Sequence, residues 1–326
     1  MISPTRRVFL AAASLLVAAT ATPLLADTFP SRPIKIVVPF AAGGGNDLLA
    51  RLIAQQLSEQ LKQGVVIENR PGAGTQVGAE VVARAEPDGY TLLSTSMTTY
   101  VLNPFLYKKL SYDPVKDFAP ISLTGSFDLM LVAHPSFPAQ SLEQFVSLAK
   151  SKPGDLSYAS AGPGSPHQLA MELLMRRAGL SMVHVAYRGA APALQDLIAG
   201  HVPIMMLDVA TAREPVKAGL LKAFGAASLT RFSDFPDLPT IAEQGFPHYQ
   251  ASAWQGIVAP AKTAPEIIDT LNKAIGAALA DKQVREKLQA AGIEPIASTP
   301  AEFKAFMASE ATKWDEVIKA AKITLE

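Results

Sequence analysis

The sequence predicts an α/β protein of two domains, each a mainly parallel sheet flanked by helices, with a cleft between them. Three observations predict it. Strand, turn and helix signals follow one another three times near the start of the chain. The same theme returns between Leu156 and Asp208. Two apolar stretches, Ile121 to Ala133 and Leu221 to Ala227, have the length and position of crossovers between two sheets.

The first step organises the rest. Ile36, Val37, Val38 and Phe40 form a β-branched and aromatic run, Ala41-Ala42-Gly43-Gly44-Gly45-Asn46-Asp47 a glycine loop, and Leu49, Ile53, Leu57 and Leu61 recur at helical spacing. Such a loop turns backbone N–H groups inward beside the free donors of a helix start, an arrangement suited to an anion. A tight turn that only packs a helix onto a sheet needs glycine as well. No Gly-Lys-Ser/Thr follows, and G-x-G-x-x-G is absent, so neither a phosphate loop nor a dinucleotide fingerprint is present. Asp47 would repel a bare polyphosphate, which leaves a small carboxylate as the candidate anion.

Val65 to Glu68 reads as the second strand, Asn69-Arg70-Pro71-Gly72-Ala73-Gly74 as a second glycine loop, and Tyr90 to Ser94 as the third strand, with Thr98 near its carboxyl end. Residues 100–120 read as irregular. Ser141 caps a helix through Ala149. Leu156 to Ser160 is a strand, Ala161-Gly162-Pro163-Gly164-Ser165-Pro166 a loop, and His167 to Ala178 a helix. His184 to Tyr187 leads into Arg188-Gly189-Ala190-Ala191, with Pro192 in the first turn of the next helix. Val202 to Leu207 is a strand ending in Asp208. After the proline-rich linker Arg231 to Pro239 come a strand, Gln255 to Ala259, and two helices with capping-box spacing at Thr263 and Thr299.

A length of 326 residues accommodates two cores. Zero net charge argues against nucleic acid or anionic membrane as the main partner and leaves any anion affinity to local dipoles. The absence of cysteine excludes disulfides and thiolate metal sites, and the five histidines lack metal-ligand spacing. Arg6-Arg7 before an alanine-rich apolar run makes residues 1–26 an export signal, by the twin-arginine or the general secretory route. The two domains are expected at 27–125 plus 228–326 and at 126–227.

Ligands of open α/β sheets sit beyond the carboxyl ends of the strands. The candidate ligand-binding residues are therefore Ala42, Gly43, Gly44, Gly45, Asp47, Thr98, Ser160, Gly162, Ser165, His167, Arg188, Gly189, Ala190, Ala191 and Asp208. Arg188 pairs either with a ligand carboxylate or with an acid across the cleft. Asp208 either accepts a hydrogen bond from a ligand or caps the next helix. Ser165, His167 and Asp208 also make up the parts of a hydrolase triad, but Pro166 removes an N–H that an oxyanion hole would use, and G-x-S-x-G is incomplete.

Several motifs carry a resemblance: Ser31-Arg32-Pro33-Ile34-Lys35-Ile36-Val37-Val38-Pro39-Phe40 with the glycine loop and Asp47; Val66-Ile67-Glu68-Asn69-Arg70-Pro71-Gly72-Ala73-Gly74; Pro87-Asp88-Gly89-Tyr90-Thr91; Tyr187-Arg188-Gly189-Ala190-Ala191-Pro192-Ala193; and Leu238-Pro239-Thr240. Together they resemble the substrate-binding proteins of tripartite tricarboxylate transporters, the Bug receptors. The resemblance implies a two-domain periplasmic binding protein of type II-like fold, joined by two crossover strands. It would be monomeric, non-enzymatic and without cofactor, and would deliver a small organic carboxylate to integral-membrane transporter subunits. The carboxylate would sit between Ala41–Asp47 and the facing loops Ser160–Ser165 and Arg188–Ala191. A secreted serine hydrolase using Ser165 and His167 and a ligand-presenting sensor subunit are the alternatives.

Overall fold

The computed structural model describes residues 29–187 and 189–325, so the export signal expected over 1–26 and the side chain of Arg188 lie outside the described residues. The chain forms β1 (Ile34–Val38), α1 (Gly45–Leu61), β2 (Val65–Asn69), α2 (Gln76–Ala83), β3 (Thr91–Ser96), α3 (Asn103–Leu106) and β4 (Phe118–Phe127). It continues through β5 (Leu129–Ala133), α4 (Leu142–Ser151), β6 (Ser157–Ser160), α5 (Pro166–Ala178), β7 (Val183–Ala186), α6 (Ala190–Ile198), β8 (Ile204–Asp208), α7 (Val209–Lys217) and β9 (Lys222–Ala226). The last elements are β10 (Ala253–Pro260), α8 (Pro265–Ala280), α9 (Lys282–Ala290), β11 (Ile293–Pro295) and α10 (Pro300–Ala321).

Two sheets result. The first runs β11-β4-β10-β3-β1-β2 and the second β7-β6-β8-β5-β9. Strands that precede glycine loops pair in parallel: β1 with β2 and β3, and β6 with β7 and β8. Strands at or after the crossovers pair antiparallel: β10 with β3 and β4, β11 with β4, and β5 with β8 and β9. The parallel expectation thus holds where the βα steps are, and the crossovers bring in strands of opposite sense. From Arg32 onward the residues form one compact body.

Local chemistry accounts for the elements. Every position of β1 but Lys35 is buried, the near-continuous apolar run of a strand covered on both faces. On α1, Leu49, Ile53 and Leu57 are buried, as their spacing predicts. Ser141 caps α4 by accepting from the Gln144 amide, and Thr299 with Glu302 closes a full capping box on α10. Gly179, with φ of 65°, ends α5 in the left-handed conformation and returns its N–H to the Met175 carbonyl. No helix among the described residues is long and apolar enough to cross a membrane.

Three local expectations change. Thr263 does not cap α8: its hydroxyl donates to the Pro260 carbonyl at 2.8 Å, and the cap position falls to Ala264. The final region holds three helices and a short strand, because Asp281 ends α8 and accepts from the Val284 amide to start α9. The irregular segment after residue 100 contains a π-type turn, Thr98–Leu102, and α3. Buried Asn103 holds it in place, donating to the Gly74 carbonyl at 2.7 Å and the Tyr112 hydroxyl at 3.0 Å.

Close packing is tightest where β10 meets α10. The Trp254 and Phe303 rings cross edge-on at 5.8 Å, and a Cβ on Gly256 would strike the Phe303 ring and lie 2.8 Å from the Ser122 carbonyl oxygen. The Gly256→Ala variant is expected to lose about 3 kcal/mol to overpacking. Urea unfolding should show a lower midpoint at unchanged slope.

Candidate functional site

Strand register brings the candidate loops to one place. Parallel pairing of Val37 with Leu93 puts the carboxyl ends of β1 and β3 on the same edge, and Ser96 at the end of β3 pairs with Gln255 near the start of β10. Ala253 pairs with Phe127, the last residue of β4. One residue later the chain enters β5, whose first residue, Leu129, pairs with Asp208 at the end of β8. Ala159 pairs with Met205, so β6 and Ser160 end on that edge too. The carboxyl ends of β1, β3, β6 and β8 therefore line the junction at Asp128, with the N-termini of α1 after β1, α5 after β6, and α6 after β7, which runs parallel to β6.

On the first-sheet side, Ala41 to Gly45 are exposed and Asp47 is buried. The Asp47 carboxylate accepts from the Gly43 amide at 2.9 Å, Arg51 Nε at 2.8 Å and Asn69 Nδ2 at 2.8 Å. Burial pushes its carboxyl up, but these donors together with the Arg51 charge hold it below the usual carboxylate range. Asp47 thus shapes the loop and spends the Gly43 N–H in doing so. The amides of Gly45, Asn46 and Asp47 lead α1 without intrahelical acceptors. Gln255 Nε2 donates to the Asn46 carbonyl at 3.1 Å and also bonds Ser94. A Cβ on Gly45 would lie 2.8 Å from the Phe127 ring, so the glycine is required for close approach to the crossover. Thr98 is half-buried in the turn after β3.

On the second-sheet side, Ser160 is buried; its hydroxyl accepts from the Gly162 amide at 3.1 Å and meets His184 Nε2 at 2.6 Å. Like Asp47, it sets the loop's shape. Gly162, with φ of 128°, would place a Cβ 3.1 Å from the Tyr187 carbonyl. Ser165 caps α5, accepting from the Gln168 amide. Gly189 has φ of 117°, precedes α6 and donates to the Ala161 carbonyl at 3.1 Å. Ala190 and Ala191 open α6, with Ala191 exposed.

His167 and Asp208 form a pair. Buried His167 Nε2 lies 2.8 Å from Asp208 Oδ2, and the Asp208 side chain makes no cap bond to α7. Burial is the largest influence on the Asp208 carboxyl and pushes it up, yet the hydrogen bond and charge of His167 bring it below its ordinary value. A charged carboxylate only accepts, so Nε2 carries the shared proton. His167 Nδ1 is buried without a partner. Ser165, His167 and Asp208 are therefore not strung together as a triad, which needs the serine hydroxyl on one ring nitrogen and the acid on the other.

Residues 49–323 match the family described as TctC, tripartite tricarboxylate transporter family receptor. The chain belongs to that family. It is 37% identical to protein BugT of Bordetella pertussis over 303 residues, 93% of each chain. Among solved structures it resembles R. palustris Rpa4515 with adipate at a TM-score of 0.78 and 33% identity, covering 91% of this chain and all of that one. It also resembles MatC (Rpa3494) from Rhodopseudomonas palustris with bound malate, at 0.73 and 35%, covering 89% and 100%. The two-sheet architecture is thus that of tripartite tricarboxylate receptors.

This receptor carries one feature with no sequence signal. A cavity of about 450 Å³ beside the junction is lined by residues including Asp128, Val209, Arg213, Asp234, Gly292 and Glu294, none of them in the glycine loops. Arg213 Nε lies 2.7 Å from Asp234 Oδ2, and its Nη1 donates to the Ala290 carbonyl at the end of α9 at 2.9 Å. A Cβ on Gly292 would lie 2.5 Å from that of Ala210, so α7 and the turn after α9 pack backbone to backbone. Burial, with the Glu294 charge, pushes the Asp128 carboxyl up to about 6. Among the described residues no three of His, Asp and Glu gather as a metal site would require.

Two carboxylates predict opposite pH dependences. The folded protein retains the Asp128 proton that the unfolded chain gives up near its ordinary pKa. Its stabilisation is full below about pH 4 and lost as pH rises through about 6. The Asp128→Asn variant should lack that decline in urea titrations. Asp47, held low, stabilises above the ordinary carboxylate pKa, and that contribution disappears as pH falls through its folded value. The Asp47→Ala variant is expected to cost about 1 kcal/mol at pH 7, because the Gly43 amide, Arg51 and Asn69 lose their shared acceptor. That cost should shrink at the acid end of the same titration.

Proposed function

We propose that this chain is an extracytoplasmic solute receptor that captures a small organic carboxylate between two lobes, 27–125 with 228–326 and 126–227. It then presents the bound acid to the membrane subunits of a tripartite tricarboxylate-type transporter. The observation that carries this reading is the gathering of four strand ends and three helix N-termini on one junction. A helix N-terminus holds an anion by about 0.3–1 kcal/mol, and about 2 when partly buried. Several converging ones supply, without net charge, the local attraction that a neutral protein needs.

In this reading Ala42, Gly43, Gly44 and Gly45 with the first turn of α1 form one wall, and Gly162, Ser165, Gly189, Ala190 and Ala191 the other. Thr98 contributes from the turn after β3, and Arg188 is a candidate partner for a ligand carboxylate. Asp47 and Ser160 hold the walls in shape. The acid leaves chemically unchanged: Ser165 is used as a helix cap and His167 is committed to Asp208. The relatives solved with adipate and with malate support the ligand class. Family membership supports a periplasmic location and a transporter partner, reached by way of the export signal at 1–26.

A thermal-shift screen with organic acids tests the proposal. A bound acid should raise the melting temperature with concentration, by about 2.7 kcal/mol of stability at 100 times Kd, and be recovered intact. Turnover of an acid or ester that disappears in Ser165→Ala, or a panel of acids without any stabilisation, would overturn it.

A further inference from the structure

Asp208 sets an acceptor among donors. The helix starts at the junction present N–H groups, which suit a carboxylate. The carboxyl group of Asp208, at the end of β8, has His167 against one oxygen, yet 31% of its side-chain surface remains open to solvent. Its position next to Val209, whose amide donates to the Asp128 carbonyl at 2.9 Å, and its pairing with Leu129 put the group at the junction.

The group is fixed as well as placed. His167, with only 9% of its side chain exposed, approaches Oδ2 from the first turn of α5. Since α7 receives no cap bond from it, the carboxylate keeps acceptor capacity that neither helix uses. Buried His167 is a positioning residue: it aims the carboxylate and is itself shielded from any ligand.

We propose that Asp208, oriented by His167, makes this receptor select small carboxylates that carry a hydroxyl or ammonium group over plain acids of the same skeleton. The proposal rests on the carboxylate-receptor reading above. A hydroxyl or ammonium donates to the free side of Asp208 in a charge-assisted hydrogen bond. A plain diacid brings only further negative charge to that point, and a plain monoacid leaves the carboxylate dehydrated and unpaired, which costs affinity.

Calorimetric titration of the purified mature protein at pH 7.5 tests this with matched sets: succinate, malate and aspartate; glutarate, 2-hydroxyglutarate and glutamate; benzoate and salicylate. In at least one set the donor-bearing acid should bind about tenfold or more tightly than its plain partner, the scale of one hydrogen bond to a charged group. The preference for ammonium should drop in Asp208→Asn, which keeps the shape and loses the charge, and both preferences should vanish in Asp208→Ala. Plain acids that bind as tightly as their partners would overturn the inference and leave the receptor reading standing, as would a preference that survives in Asp208→Ala. Failure of every acid to bind would overturn both. Should Asp208→Ala not fold, the wild-type sets and Asp208→Asn still decide.

Discussion

The register on either side of Asp128 is the constraint from which the site follows. Phe127 is held by Ala253 in one sheet and Leu129 by Asp208 in the other, so a single residue separates the two ladders. With so short a passage, the edges that meet are determined. They are the edges where β1, β3, β6 and β8 end, because the parallel pairs share their direction. Helix starts then face the junction from both sheets as a consequence of connectivity. The same passage explains why Gly45 must be glycine: the start of α1 lies against the Phe127 ring.

Charge is handled locally throughout. The chain has no net charge, and the carboxylates at the junction differ in role according to what surrounds them. Asp47 is ringed by donors and Asp208 is held by an imidazole, so both stay ionised; Asp128 has a buried setting and the Glu294 charge nearby, so it retains its proton more readily. Three aspartates within one region thus act as an internal brace, an oriented acceptor and a cavity wall that holds a proton up to about pH 6. Identity of the residue type tells nothing of this; the number of donors within reach decides it.

Contacts between the two sheets' surroundings also run through backbone-close positions. Gly164 on the α5 loop approaches the Leu106 side chain on α3, where a Cβ would lie at 2.8 Å, and Gly292 abuts Ala210. Tyr249 donates to the Ala170 carbonyl, and Arg213 to that of Ala290. These contacts flank the junction on two sides.

Much was legible in the order of residues alone. Periodicity located the glycine-loop strands and helices, because a half-turn step and a 3.6-residue step leave different apolar spacings. Cap chemistry predicted Ser141 and Thr299, since those side chains reach only their own backbone neighbours. The first crossover was visible as an apolar stretch longer than a simple strand, Ile121 to Ala133, whereas Leu221 to Ala227 is β9 of the second sheet and the return to the first sheet follows it; the motifs around Gly43, Asn69 and Tyr187 carried the family resemblance. What the residues could not show depends on partners distant in the chain. The Asp47 carboxylate is shared with Asn69, 22 positions later, and the Ser160 hydroxyl meets His184, 24 positions later, partners that local spacing does not announce. Asp208 looked equally suited to capping α7 and to serving a ligand, and its pairing with His167, 41 residues earlier, required two elements to fold together. Local sequence thus determined where helices and strands begin, while tertiary packing decided what each polar side chain does, because a hydrogen bond across elements has no signature until the backbone has brought its two ends within 3 Å.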